Sequence, residues 1–271
     1  MRILIATGGA PHSDLAVRLG ADISRGTKGQ PTLLTVIQHE RDREQAEAVL
    51  TRAKSIMRPL VSEAQQRIRV GRVPREIICE VQEGRYDLLI IGEHPRHQMA
   101  RRLMGPTAQS VIALMPCPVL IVRNQSRTPR RVLVCEGGRD PSLLSRLISQ
   151  LAPFMEIVTD LTVLHVMSQI AASPEAEDWE LRAEAEELIE KRTPEGRILA
   201  QDLELLRPLS IQLQAKVRHG LVVEEILAEA KSGDYDLVVI GAHQSKGWER
   251  YLLDDLARQI IQHADRPVLV I

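Results

Sequence analysis

Short apolar runs alternate with amphipathic or polar stretches through the first 123 residues. Each run is bounded by glycine, proline or polar residues, a pattern typical of buried parallel strands. Five runs predict strands: Arg2–Ala6, Leu33–Ile37, Ile68–Val70, Tyr86–Ile91 and Pro118–Val122. Four stretches between them predict helices: the residues after a Ser13-Asp14 cap, about Arg41–Met57, Pro74–Glu83 ended by Gly84 at the C′ position just past the helix, and a segment that includes Ala108–Leu114.

Strands that alternate with helices require crossover connections, which place a parallel sheet between two helical layers. The predicted fold class is therefore α/β, with a doubly wound, Rossmann-like sheet of five parallel strands. In such sheets, ligands bind beyond the carboxyl ends of the strands, at the point where the strand order reverses.

The same pattern occurs a second time. Residues 220–271 match residues 71–122 without a gap, at an offset of 149 and with 19 identities in 52 positions. Upstream, Val132–Cys135 matches Ile3–Ala6 and Thr162–Val166 matches Leu33–Ile37, both at an offset of 129. We therefore predict two α/β domains, residues 1–123 and 131–271, joined by a polar linker at residues 124–130.

The change of offset places about twenty extra residues within residues 168–210 of the second domain. This run is rich in Glu, Ala, Leu and Arg, so it predicts an extended second helix or an additional one. Pro174 is a candidate helix start, and Pro194-Glu195-Gly196 predicts a helix break. The insertion is either a partner surface or a solvated helical elaboration.

The amino-acid composition indicates which partners and which cellular compartment to expect. A net charge of −1 and an aromatic content of 2% argue against a nucleic-acid or acidic-lipid partner. Three scattered cysteines without a CxxC pair favour a reducing compartment. The N-terminus lacks the pattern of a signal peptide, and no apolar run reaches the length of a membrane span. We expect a soluble, cytoplasmic protein.

Two loop features suggest phosphate binding. Gly92 follows the fourth strand, and Gly105-Pro106-Thr107 leads into the next helix. A glycine at a strand exit permits close approach of a ligand to the backbone, and a helix N-terminus presents free N–H groups to an anion. Both features are predicted at the same edge of the sheet.

Both halves resemble the universal stress protein family over nearly all of residues 1–123 and 131–271. The passages Ala6–Ser13, Gly84–Gly92 and Met115–Val122 carry the resemblance, and the last two have close counterparts in the second half. The resemblance implies the universal stress protein fold, which is similar to that of adenine nucleotide alpha hydrolases. It also implies a regulatory or stress-response role, and no catalytic residues are predicted.

ATP-binding members of the family carry the motif G-x2-G-x9-G-[ST] after the fourth strand. Here Pro95 replaces the middle glycine, and Pro106 replaces the hydroxyl residue although Thr107 follows it. The family's nucleoside-binding aspartate aligns with Gly8. The resemblance implies one weak site in the first half for an adenine nucleotide, such as ATP with its bound Mg²⁺. Between the glycines, Arg96, Arg101 and Arg102 are either phosphate contacts or a solvated helix face. The candidate residues are Ala6, Thr7, Gly8, Ile37, Ile91, Gly92, Gly105 and Thr107.

The second half keeps less of this motif. Gly241 remains, but Gln244 replaces the middle glycine and Asp254-Asp255 occupy the Gly-[ST] positions, where their carboxylates would repel phosphate. We predict a degenerate site at the corresponding positions: Gly137, Val166, Gly241, Asp254 and Asp255.

Other polar residues offer no complete catalytic or metal set. His94 and His243 follow the loop glycine in each half, and His94 with His97 forms an H-x2-H pair, but no cysteine or carboxylate is spaced to complete a metal site. His12 and Ser13 could form a base and a nucleophile, yet they stand at a predicted helix start, where serine is a common cap.

Three functions remain open. The first is a non-catalytic stress-response regulator with at most one adenine nucleotide. The second is an ATP-using enzyme of the PP-loop type, whose SGGxDS loop is faintly similar to Thr7–Ser13. The third is a nucleotide-independent interaction module that docks on a transporter or kinase. The final strands, Pro118–Val122 and Pro267–Ile271, are candidates for pairing the two halves with each other or for forming a homodimer.

Overall fold

Ten strands form one sheet in the computed structural model, which describes residues 1–93, 106–124, 127–138, 141–167, 182–241 and 255–271. The first-half strands are β1 (Arg2–Ala6), β2 (Gln30–Ile37), β3 (Gln65–Val70), β4 (Leu88–Gly92) and β5 (Val119–Val122). The second-half strands are β6 (Arg131–Glu136), β7 (Asp160–Met167), β8 (Gln212–His219), β9 (Leu237–Ile240) and β10 (Val268–Val270).

Nine α-helices lie in the described residues. Those of the first half are α1 (Pro11–Gly26), α2 (Arg43–Met57), α3 (Val73–Gly84) and α4 (Pro106–Leu114). Those of the second half are α5 (Leu143–Leu151), α6 (Ala185–Glu190), α7 (Pro194–Leu206), α8 (Val222–Ser232) and α9 (Asp255–His263). Short 3-10 turns precede α2 at Glu40–Asp42 and follow α5 at Ala152–Ile157.

The two halves pair through their last strands. The strand order is β3-β2-β1-β4-β5-β10-β9-β6-β7-β8, and only the β5–β10 pair is antiparallel. Leu120 lies opposite Leu269 at the centre of this pair. The predicted five-stranded parallel sheets are therefore confirmed, and they are joined into one. Both edges of β5 and β10 are occupied within the chain, so these strands offer no backbone edge to a second copy.

A core on one face of the sheet spans both halves. Alternate strand residues point to opposite faces, so Ile3 and Ile5 join one core and Leu4 joins the other. On the first face, α1 packs against the 3-10 turn that follows α5. A Cβ on Gly26 would lie 2.4 Å from Ile157 Cγ2, which shows how closely the two elements approach.

Helix α1 begins earlier than the predicted Ser13-Asp14 cap. Its N-cap is Ala10 and Pro11 occupies the first turn, where the fixed φ of proline is already helical. Ser13 lies inside the helix and its hydroxyl donates to the Ala10 carbonyl at 2.7 Å. The prediction that Ser13 caps the helix was wrong because proline starts it instead.

The end of α3 also differs from its prediction. Gly84 is the last helical residue, and the left-handed position belongs to Arg85, at φ 49°. A Cβ on Gly84 would lie 2.1 Å from Tyr86 Cε2, so the glycine is required by the tyrosine ring that covers it. Gly233 stands in the same relation to Tyr235, also at 2.1 Å.

Strands β2 and β3 start several residues before their apolar runs. β3 includes Gln65–Arg67, which are exposed because β3 lies at an edge of the sheet. An edge strand needs fewer apolar residues than a central one, so a search for apolar runs underestimates its length.

The predicted break at Pro194-Glu195-Gly196 is the first turn of α7. Thr193 caps the helix, since its hydroxyl oxygen accepts a hydrogen bond from the Gly196 N–H at 3.0 Å. Val49 of α2 and Ile198 of α7 are separated by the offset of 149, so α7 is the counterpart of α2. The extra residues thus lie between β7 and α7, with α6 among them; Pro174 lies outside the described residues.

Candidate functional site

The carboxyl ends of β1 and β4 meet at the first-half switch point. β1 pairs with β2 on one side and with β4 on the other, and Ala6 lies opposite Ile91 in the β1–β4 pair. Ile37 ends β2, one strand away, and its carbonyl accepts the Gly71 N–H at 2.8 Å. The fold therefore brings three predicted site residues to one edge of the sheet.

Thr7 organises the loop that leaves β1. Its hydroxyl lies 3.2 Å from Ser13 Oγ and accepts the Gly9 N–H at 3.3 Å. Its carbonyl accepts the Thr35 hydroxyl at 3.0 Å. Because the Thr7 side chain is buried in these contacts, it shapes the loop rather than pointing outward.

The glycine that follows Thr7 leaves space. A Cβ built on Gly8 would meet no atom within 4 Å, whereas one on Gly9 would lie 2.8 Å from Val49 Cγ2. Gly9 also has a positive φ of 78°, a conformation that glycine adopts without strain. Gly9 is thus required by the turn, while Gly8 is open to a side chain or a ligand.

Gly92 serves the packing of a helix. A Cβ at this position would lie 2.3 Å from the His12 carbonyl oxygen and 2.9 Å from Ser13 Cα. The first turn of α1 therefore crosses directly over the end of β4. The close approach that we expected from a ligand is made by the protein's own backbone.

Sequence reasoning missed a buried ion pair beside Gly92. The Arg123 guanidinium contacts the Glu93 carboxylate, with Nε 2.8 Å from Oε2, and it also donates to the Ala264 carbonyl at 3.4 Å. Both side chains are largely buried. A charged residue directly after each of two buried strands was the available signal. The pair connects the start of the loop after β4 to the end of α9.

The rest of the first-half loop lies outside the described residues. This applies to Gly105 and to Pro95, His94, His97 and the three loop arginines. Helix α4 begins at Pro106, so Thr107 belongs to its first turn. Because β4, α4 and β5 form a parallel crossover, this first turn lies at the carboxyl edge of the sheet.

In the second half, Glu136 takes the position of Thr7. Its carboxylate is 4% exposed and accepts hydrogen bonds from the N–H groups of Gly138, at 3.0 Å, and Leu143, at 2.7 Å. A Cβ on Gly137 would again meet nothing within 4 Å. Val166 is in β7 opposite Arg218.

Charged side chains surround the second-half strand exits. A Cβ on Gly241 would lie 2.7 Å from an Arg146 guanidinium nitrogen, and Arg146 also donates to the Ile271 carbonyl at 3.1 Å. Asp255 begins α9, and its carboxylate contacts Arg258 of the same helix. Asp254, His243 and Gln244 lie outside the described residues.

A second buried carboxyl group, Asp202, lies close to Glu136. Ser142 Oγ donates to Asp202 Oδ1 at 2.7 Å. Burial raises the pKa of Asp202 from 3.8 to about 6; the Ser142 hydrogen bond opposes this rise and the charge of Glu136 adds to it. Sequence reasoning missed Asp202 because the residue lies 66 positions after Glu136, in a run of ordinary helical composition.

The described part of the chain contains no group of three or more His, Cys, Asp or Glu side chains placed to hold a metal ion. Within the same residues, no helix combines the length and the apolar character needed to cross a membrane.

The comparisons with known proteins agree on one family. A sequence model of the universal stress protein family matches residues 1–123 and 130–271. A universal stress protein of Mycolicibacterium smegmatis is 25% identical over 305 aligned positions, which cover 99% of this chain and 96% of that protein. A universal stress protein of Methanocaldococcus jannaschii is 27% identical over 153 residues, 56% of this chain and 86% of that protein.

Solved structures show the same fold. A universal stress protein from Archaeoglobus fulgidus superimposes with a TM-score of 0.76 at 16% identity, over 99% of this chain and 97% of that one. A Pseudomonas aeruginosa protein described as functionally unknown gives a TM-score of 0.69 at 18% identity, over 100% and 92% of the two chains.

Proposed function

The chain belongs to the universal stress protein family, and we propose that it is a non-catalytic stress-response regulator whose first half binds one adenine nucleotide weakly. The observation that carries this proposal is the open space at Gly8, beside the switch point where Ala6 and Ile91 lie side by side. Open α/β sheets bind their ligands at this point.

In this proposal the nucleoside contacts the backbone around Ala6, Thr7, Ile37 and Ile91. The phosphates lie toward Gly92, Gly105 and Thr107, with Mg²⁺ present only as the nucleotide's own ion. Two features make the binding weak. Gly8 lacks the carboxylate that the family uses on the nucleoside, and Pro106 has no N–H to donate to a phosphate.

The second half is proposed to lack nucleotide binding. Arg146 occupies the space beside Gly241, and the sequence has Asp254 and Asp255 in place of the family's Gly-[ST] pair, where their carboxylates would repel phosphate. Like charges in a partly dry site repel each other strongly. This half then serves as the structural partner that pairs with the first through β5 and β10.

Two alternatives have less support. A PP-loop enzyme would need an accessible loop serine, but the Ser13 hydroxyl is buried between Thr7 and the Ala10 carbonyl. A nucleotide-independent interaction module is the outcome if no nucleotide binds. We also propose a reducing, cytoplasmic setting, which three scattered cysteines without a CxxC pair favour.

Equilibrium dialysis of the full chain against labelled ATP, with Mg²⁺, tests the proposal. We expect saturation at one ATP per chain with weak affinity. A parallel melting experiment is expected to show a higher Tm with ATP, because a ligand that binds only the native state stabilises it. Two tight sites per chain, or no binding and no shift of Tm, would overturn the proposal.

A further inference from the structure

Three polar side chains, two of them buried, form a cluster where α7 meets the loop after β6. They are Glu136 at the end of β6, Ser142 before α5 and Asp202 on α7, and we call them the carboxyl cluster. Asp202 is 1% exposed and Glu136 is 4% exposed. Ser142 connects two elements, since Oγ donates to Asp202 at 2.7 Å and accepts the Ser145 N–H at 3.1 Å.

One carboxyl oxygen of Asp202, Oδ2, is buried and has no hydrogen-bond partner among the described residues. Within the same part of the chain, no Lys, Arg or His side chain forms an ion pair with Asp202. A buried carboxylate oxygen without a donor carries a desolvation cost, and a proton on that oxygen removes the charge responsible for it.

Four of the described titratable groups on the elements around α7 have partners other than Asp202. His165 of β7 contacts the Glu136 carbonyl, His219 of β8 contacts the Ala183 carbonyl, Glu187 of α6 pairs with Lys191, and Arg146 of α5 donates to the Ile271 carbonyl. Among the described residues, Glu136 is the charged group that acts on Asp202. Its two oxygens accept backbone N–H groups, as a carboxylate does.

The combination of the two carboxyl groups, Glu136 and Asp202, is specific to the second half. The offsets that relate the two halves place Thr7, Ser13 and Ala53 at the positions of Glu136, Ser142 and Asp202. Both halves have a serine at the middle position, Ser13 and Ser142. At the other two positions the first half has the hydroxyl of Thr7 and the methyl group of Ala53, whereas the second half has two carboxyl groups. The sheet and the helices are shared by both halves and do not require this pair.

We propose that the carboxyl cluster is a proton-dependent latch: a proton on Asp202 fastens α7 to the loop after β6, and loss of that proton loosens α7. The same interface includes Ile198 of α7, whose Cδ1 would lie 3.5 Å from a Cβ on Gly138. Because α7 directly follows α6 in the chain, the latch makes the attachment of this helical segment sensitive to pH.

The direction of the pH dependence follows from the raised pKa of Asp202. A carboxyl group that holds its proton more tightly in the folded state stabilises that state most at low pH. This stabilisation declines as the pH rises from 3.8, the ordinary value, to about 6, and stays lost above that. Acidification is therefore expected to tighten the latch.

Hydrogen exchange of the full chain at pH 5 and pH 8, expressed as protection factors, tests the latch. In the wild type, we expect the amides of α7 to be about tenfold better protected at pH 5 than at pH 8, from the pKa difference between closed and open states. In Asp202→Asn, a near-isosteric neutral side chain, that difference is expected to disappear. Asp202→Ala, which copies Ala53, is a second variant in case Asn perturbs packing.

Glu204→Gln is the matched control, because Glu204 is an exposed carboxylate on the same helix. It is expected to keep the wild-type pH dependence. The proposal is overturned if Asp202→Asn retains the dependence, or if Glu204→Gln abolishes it, since the effect would then belong to the general charge of α7. Neither outcome depends on whether the first half binds ATP.

Discussion

The Tyr86 hydroxyl donates a hydrogen bond to the Glu80 carboxylate at 3.0 Å, and Tyr235 repeats this bond to Glu229 at 2.8 Å in the second half. Arg69 and Arg218 complete the two networks, each donating to the respective glutamate at 3.0 Å. Both glutamates are buried, so their charges depend on these partners. The network therefore connects an edge strand, a helix and the start of a central strand in each half.

Removal of either tyrosine hydroxyl is expected to destabilise the protein to a similar extent. Tyr86→Phe and Tyr235→Phe each leave a buried carboxylate with one donor fewer, at a cost of about 1–3 kcal/mol. Thermal unfolding of both variants and of the double variant measures this. If the two single variants differ greatly, the networks do not have equivalent roles.

Gly92 and Gly8 are expected to respond differently to a methyl group. Gly92→Ala must displace the first turn of α1, because its Cβ would lie 2.3 Å from the His12 carbonyl oxygen, and we expect a loss of about 1–3 kcal/mol or more. Gly8→Ala meets open space and is expected to change stability by less than about 0.5 kcal/mol. Urea unfolding compares the two, and equal effects would contradict the packing role of Gly92.

A carboxylate at Gly8 is expected to strengthen nucleotide binding. Gly8→Asp restores the residue that the family uses on the nucleoside, and one charge-assisted hydrogen bond of about 1.5–3 kcal/mol corresponds to at least tenfold tighter binding of ATP. Calorimetric titration measures the change.

Gly137→Asp is the matched control for this substitution. Its position is equally open, but it lies in the half whose strand exit holds Arg146. We expect no ATP binding to be gained there. Equal gains in both variants would show that the halves do not differ in the way proposed.

Truncation of Phe154 is expected to weaken both halves at once. This side chain is 0% exposed and belongs to the core that includes residues of α1 from the first half. Phe154→Ala should cost about 3–5 kcal/mol. Scanning calorimetry is expected to show a single transition shifted to lower temperature. Two transitions, only one of them shifted, would mean that the halves unfold independently.

Cys117 and Cys135 are expected to resist alkylation in the native protein. Burial raises the pKa of Cys117 to about 12, and burial likewise raises the pKa of Cys135. The reactive thiolate is therefore scarce at pH 8. Iodoacetamide labelling followed by mass spectrometry tests this, with denatured protein, in which all three cysteines react, as the reference. Rapid labelling of either residue in the folded chain would contradict it.

Local patterns predicted the strands and helices well where the residues are buried on both faces. β1 was predicted with its observed ends, Arg2–Ala6. The apolar run of the edge strand β3 is shorter than the strand itself. At the start of α7 the sequence pattern predicts a break instead of a first turn, because a proline in a first helical turn and one that interrupts a helix differ only in contacts such as the Thr193 cap. The ends of elements depend on cap contacts and on position within the sheet, which the apolar pattern does not record.

The sequence by itself determined the repeat, the α/β class and the family, since these depend on periodic apolar residues and on identities in a constant register. Only the tertiary structure decided which group lies against each loop. The structure places the His12 carbonyl at Gly92 and the Arg146 guanidinium at Gly241. It also brings Asp202 near enough to Glu136 for their charges to interact. In each case the two segments are far apart in the chain. The physical reason is that local periodicity records which face of an element is buried, whereas charge and space at a site depend on which distant side chains are packed there.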